Sequence, residues 1–167
     1  MTLLSRLFVG LVWIGLALPH TAARAEDSLL EGESLGKIAI GQKAEALPDL
    51  LGKAKKGKDT LWGATGEWVQ EWKFKKQGVT LNMASGSEGG AKTVLSITAV
   101  SPCKLATARG IKIGSSEAEV REAYGKVEAR EDSVPGETFV AGSIYGGVIF
   151  TFKDGKVAKI FVGAAAE

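Results

Sequence analysis

The sequence predicts an α+β fold built from two tandem units, each a short helix (or helix pair) packed on an antiparallel β-sheet. Three observations carry this: a segment that recurs at a fixed spacing, strand-like alternation in an aromatic stretch, and a two-residue hairpin signal near the C-terminus. The recurring segment is IAIGQKAEALPDLLG against IKIGSSEAEVREAYG. Ile38, Ile40, Gly41, Leu47 and Gly52 answer Ile111, Ile113, Gly114, Val120 and Gly125, each 73 residues further on. Downstream, GVTLNM (78–83) resembles GVIFTF (147–152), and Val94 and Ile97 answer Val157 and Ile160. The offset falls to 69 and then 63, as a shorter loop in the second copy would produce. Self-similarity of this kind marks repeated supersecondary units. The units cover residues 36–100 and 110–167, with residues 101–109 as the joint between them.

In the second unit Ser116 is a good N-cap. Its hydroxyl can accept from the Glu119 N–H while the Glu119 carboxylate reaches back, an S-x-x-E capping box. Glu117, Glu119 and Glu122 suit the start of a helix through its dipole. Val120, Ala123 and Tyr124 fall at helical spacing and face the core. Gly125 is expected to end the helix in the left-handed conformation that side chains disfavour. In the first unit Pro48 stands where Arg121 stands in the second. An interior proline loses a hydrogen bond and crowds the preceding turn, so this helix either starts late, with Pro48 in its first turn, or bends. A shorter helix is expected.

The strands follow from period-two patterning. In EWVQEWKF, Trp68, Gln70, Trp72 and Phe74 share one face while Val69, Glu71 and Lys73 take the other. Asp154-Gly155, between VIFTFK and KVAKIFV, is a strong hairpin signal because both central positions of such a turn favour positive φ. It sets Phe152 opposite Val157 and Phe150 opposite Lys159. The first unit joins its equivalent strands through SGSEGGAK, which reads as a looser, mobile loop.

Residues 1–25 have the order of regions of a secretory signal peptide: Arg6, the apolar run LFVGLVWIGLAL, the break at Pro19-His20, and the small-x-small site Ala23-Arg24-Ala25. The apolar run is short for a membrane span, which needs roughly 20 residues. No cysteine lies near the cleavage site, which argues against a lipid anchor. The expected product is exported, periplasmic or extracellular, and does not span the membrane. Cleavage removes Arg6, Arg24 and the single histidine, His20. The 21 basic side chains fall by these two arginines to 19 and then match the 19 acidic ones, so nothing supports nucleic-acid binding, which needs a basic field. Residues 26–35, with Glu26, Asp27, Glu31 and Glu33, read as an acidic linker. KAKKGKD (53–59) reads as a solvated, mobile loop in preference to an anion-binding patch. The lone Cys103 allows no intramolecular disulfide; burial beside Pro102 is favoured over pairing between chains.

Without histidine, the processed chain has no Ser-His-Asp or Cys-His nucleophile system and no histidine-bearing zinc site. Glu117, Glu119 and Glu122 are read as helix-capping acids and not as a paired acid and base. Glu128, Glu131 and Asp132 lack the ligand spacing of a calcium loop. The chain is therefore read as a non-enzymatic protein with no cofactor and no metal. The aromatic residues are the candidates for binding a protein partner: Trp62, Trp68, Trp72 and Tyr145. Trp68 and Trp72 also fit a core role under the helix. Trp62, in a glycine-flanked loop beside the lysine run, is the better exposed anchor, since interfaces use buried aromatic anchors with polar rims.

The pattern IxIG, S-x-x-E-V and then Y-G in IKIGSSEAEVREAYG resembles the helical unit of beta-lactamase inhibitor proteins. It also resembles that of small outer-membrane assembly lipoproteins of the SmpA/OmlA type. The resemblance covers most of residues 36–163. Ser115 and Gln42 replace the methionine that commonly follows the motif glycine, and the inhibitors' cysteine pairs and the lipoproteins' lipidated cysteine are missing, so neither family's binding residues carry over. The resemblance implies an exported module presenting a sheet surface or loops to another protein, as an inhibitor or immunity-type protein of the bacterial envelope. The alternative is a carrier of small hydrophobic ligands, with a cavity between sheet and helices lined by Trp68, Trp72, Phe150 and Phe152.

Overall fold

A computed structural model describes residues 32–165. The signal-peptide reading, its cleavage site and the acids Glu26, Asp27 and Glu31 lie outside the described residues. Strands β1 (Ser34–Leu35) and β2 (Ile38–Ala39) form a small antiparallel pair. A 3-10 turn at Ala44–Ala46 leads into α1 (Leu47–Leu51). Then come β3 (Lys55–Leu61), β4 (Trp68–Phe74), β5 (Val79–Ser85) and β6 (Thr93–Val100). Helix α2 (Glu117–Tyr124) runs on into a second 3-10 turn, Gly125–Val127. Strands β7 (Thr138–Ser143), β8 (Gly146–Lys153) and β9 (Lys156–Gly163) complete the fold. The seven strands β3–β9 make one antiparallel sheet in the order β3-β4-β5-β6-β9-β8-β7.

One face of this sheet carries the core. Trp72, Leu81, Ile97, Val162, Val148 and Ala141 lie in register across it. They pack with Leu47 and Leu51 of α1 and with Val120 and Tyr124 of α2. The Tyr124 ring sits 5.0 Å from that of Phe150, a tilted pair. No helix among the described residues is long and apolar enough to cross a membrane.

Several local expectations hold. Ser116 and Glu119 form the full capping box, Pro48 occupies the first turn of a short α1, and Asp154 and Gly155 turn the β8–β9 hairpin at φ +52° and +70°. Cys103 is buried, and burial pushes its thiol pKa up, so it is held as a neutral apolar filler.

Others need correction. The KAKKGKD run is not a loop: Lys55–Leu61 is the edge strand of the sheet, bulged between Lys56 and Asp59. Lysines and a bulge on an edge are what keep an unpaired strand from recruiting another chain, so the composition that suggested a loop is also that of a guarded edge. The SGSEGGAK stretch is tethered. Asp59 accepts from the Gly89 N–H at 2.8 Å and from the Lys92 ammonium at 2.6 Å. That ammonium, almost fully buried, also donates to the Trp68 carbonyl and the Ser85 hydroxyl.

Gly125 is right-handed, φ −57° and ψ −27°, because the helix tightens into a 3-10 turn before it ends. In the β8–β9 hairpin, Phe152 does face Val157, but a bulge between Thr151 and Phe152 sets Phe150 opposite Ile160 and not Lys159. The bulge puts both side chains in the core. Finally, the end of the acidic linker belongs to the fold. Glu33 is buried; its carboxylate accepts from the Tyr124 hydroxyl and from the Ala108 N–H, both at 2.8 Å. Desolvation pushes the Tyr124 phenol pKa up, so it stays a donor.

Candidate functional site on the open face of the sheet

Among the described residues no element packs across the middle of the sheet face away from the helices, and a trough of about 530 Å³, bordered also by Ile40, runs over it. Its floor follows from the same alternation that builds the core. Asn82 pairs with Ser96 and Ile149 with Phe161, and all four point away from the helices. Leu95, displaced by the bulge in β6, joins them. Lys159 is the trough's one charged residue. Trp62 and Thr65 form one wall and Ala164 and Ala165 the other.

The turn that carries Trp62 is stitched by its own backbone. The Trp62 N–H donates to the Glu67 carbonyl and the Gly66 N–H to the Trp62 carbonyl, each at 2.8 Å. Gly66 takes φ +70°, a conformation that costs glycine little. The opposite wall is held by the Ala165 N–H, which donates to the Ile144 carbonyl at 2.7 Å. The trough is thus lined by half-buried aromatic and aliphatic side chains on fixed backbone, with hydroxyl, amide and ammonium groups among them.

The four aromatic candidates do not gather in one place. Trp62 lines the trough. Tyr145, 69% exposed, stands at the β7–β8 turn, the same end of the sheet. Trp68 and Trp72 lie on the helix side, as their alternation with Val69 requires. Trp72 lines a groove of about 800 Å³ between α1 and the β3–β4 edge, with Phe74, Ala44, Pro48 and Ala54. Its indole N–H donates to Gln70 Oε1 at 2.7 Å, and the Lys56 ammonium lies 3.7 Å over its ring. Phe150 and Phe152 are core residues away from this groove, so the cavity lined by Trp68, Trp72, Phe150 and Phe152 does not assemble. Sequence reasoning missed Leu95, Ile149, Phe161 and Lys159. The signal was present for Ile149 and Phe161, which alternate with Phe150 and Ile160, but only the strand order brings them together.

The carboxylates of α2 are occupied structurally. The Ser116 N–H and hydroxyl both donate to Glu119, at 2.7 and 2.8 Å, and hold its carboxyl pKa below the usual range. Arg121 bridges Glu117 and Glu128 at 2.8 and 3.1 Å. Comparison of the chain with family models, curated proteins and solved structures returns no match.

Proposed function

We propose that the chain is an exported, non-enzymatic protein-binding module made of two duplicated units, an inhibitor or immunity-type protein of the bacterial envelope. The surface it presents is the open face of the sheet. The observation that carries this reading is the trough itself, a fixed concave surface anchored by Trp62. The partner it suits places an apolar side chain against Trp62, Leu95 and Phe161, with an acidic group in reach of Lys159.

Duplication is supported by a repeated set of backbone bonds. The Gly41 N–H donates to the Val94 carbonyl and the Val94 N–H to the Gln42 carbonyl. In the second unit Gly114 and Val157, then Val157 and Ser115, make the same two bonds. The side chains of Gln42 and Ser115 repeat the correspondence, accepting from the Ala39 and Lys112 N–H groups. Gly41 and Gly114 both have positive φ, +78° and +91°. This supports the inhibitor-like reading of the motif as a scaffold element and leaves the open face free for a partner.

The test is affinity capture from an envelope fraction with the tagged full chain and variants. Trp62→Ala and Phe161→Ala should each weaken retention of a captured protein by about 30-fold or more, the cost of losing an interface anchor. Lys153→Glu, at the far hairpin, should leave it unchanged. Retention that ignores Trp62 and Phe161 would remove the open face from the account.

A further inference from the structure

On the opposite face a second site can be argued independently of the first. The groove under α1 has Trp72 and Phe74, 6% and 1% exposed, beneath it, and its walls come from Ala44, Pro48 and Ala54 with one acid, Glu45. Its volume of about 800 Å³ lies within the range of small-molecule sites, roughly 300–1,000 Å³. At Gly52–Ala54 it runs into a cleft bordered by Lys53, Lys55, Lys73, Lys75 and Lys76. Of these only Lys73 is in an ion pair among the described residues, with Glu71. The other end has the opposite character: beyond Trp72 lie Asp59 and Glu88.

We infer that this groove binds a single-chain anionic amphiphile of the fatty-acid type, its acyl chain along Trp72 and Phe74 and its carboxylate among the lysines at the Lys53 end. Charge complementarity sets the orientation, since a carboxylate at the far end would meet Asp59 and Glu88. Guarding the sheet edge accounts for lysines on β3 itself. It does not account for Lys75 and Lys76, in the β4–β5 turn, or for an apolar channel leading up to them. Lys56, stacked on Trp72, closes the channel's outer side and can swing away on its flexible stem as the chain enters.

The experiment is calorimetric titration of the full chain with monomeric tetradecanoate, with tetradecanol as the neutral homologue, inorganic phosphate as the anion alone, and an acidic peptide as the competing class. Saturable binding of tetradecanoate is expected. Lys53→Glu/Lys75→Glu should weaken it about tenfold, as loss of two exposed charge contacts implies, and Lys53→Gln/Lys75→Gln should weaken it less. Lys104→Glu/Lys153→Glu, and Trp62→Ala on the other face, should leave it unchanged. The inference is overturned by no saturable binding, by equal binding of tetradecanol, by saturation with phosphate or the peptide, or by dependence on Trp62 in place of the lysines.

Discussion

Helix α2 is eight residues long, starts from a capping box, and lays Val120 and Tyr124 fully buried against β7 and β8. Helix α1 is five residues long, has no side-chain cap, and carries Pro48 in its first turn. Both pack on the same face of one sheet. Under α2 the aromatic residues are sealed: Tyr124, Phe139 and Phe150 are each 0% exposed. Beside α1 a groove remains over Trp72 and Phe74, which keep 6% and 1% of their surface exposed. The longer helix closes over its aromatic residues, and the shorter one leaves a groove beside it. The turns ahead of the two helices make the same pair of backbone bonds, through Gly41 and Gln42 and through Gly114 and Ser115, while the helices that follow differ in length.

The largest effect that would sharpen this contrast is truncation on the sealed side. Tyr124→Ala should cost about 4 kcal/mol, since the ring is fully buried and its hydroxyl satisfies Glu33. Leu51→Ala, on the open side, should cost less, about 2–3 kcal/mol, because neighbours can relax into the groove. Denaturant titrations of both variants test the pair; equal losses would break the contrast.

A smaller effect distinguishes the two glycines that close the helices. Gly52 has φ +76° and ψ −150°, a region essentially reserved for glycine, whereas Gly125 is an ordinary right-handed residue. A Cβ at either would meet nothing within 4 Å, so only the backbone conformation separates them. Gly52→Ala should destabilise by about 1–3 kcal/mol. Gly125→Ala should stabilise by about 0.4–1 kcal/mol through the unfolded chain. Thermal melts with opposite shifts are expected; shifts of the same sign would mean that the helices end alike.

The smallest effect is a pH dependence shared between the halves. Hydrogen bonds from the Lys92 ammonium, and then from the Gly89 N–H, hold the Asp59 carboxyl below its ordinary pKa. The Ser116 N–H does the same for Glu119. Folded pKa values below the unfolded ones mean stability that is present above the ordinary carboxylate range and lost as pH falls through the folded values. The denaturation midpoint should thus hold steady from neutral pH down to about pH 5 and fall below about pH 4. Asp59→Asn and Glu119→Gln should each flatten that acid limb; an unchanged slope in both would contradict the assignment.

Much of this architecture was legible because it is local. The capping box, the Asp154-Gly155 turn, the alternation of Trp68 to Phe74 and the Pro48-shortened helix each depend on a few adjacent residues. What misled was context. Lys53 to Asp59 has the composition of a loop, but β4 supplies the partners that make it a strand. Gly125 fits a stop signal, yet a 3-10 turn continues past it. Glu33 looked like part of a solvated acidic run because its partners, Tyr124 and Ala108, are remote in sequence. The trough was least legible, since it draws on outward-facing residues of four strands, β5, β6, β8 and β9. Trp62 alone stood out, through Gly63 after it and the lysine run before it.

The most direct test of the account is site-specific photocrosslinking in intact cells, with a benzoylphenylalanine at position 62 or 161 on the open face, or at 153 on the far hairpin. The account predicts a discrete heavier adduct from positions 62 and 161 and none from 153. Adducts of equal strength from all three positions, or from 153 alone, would contradict it.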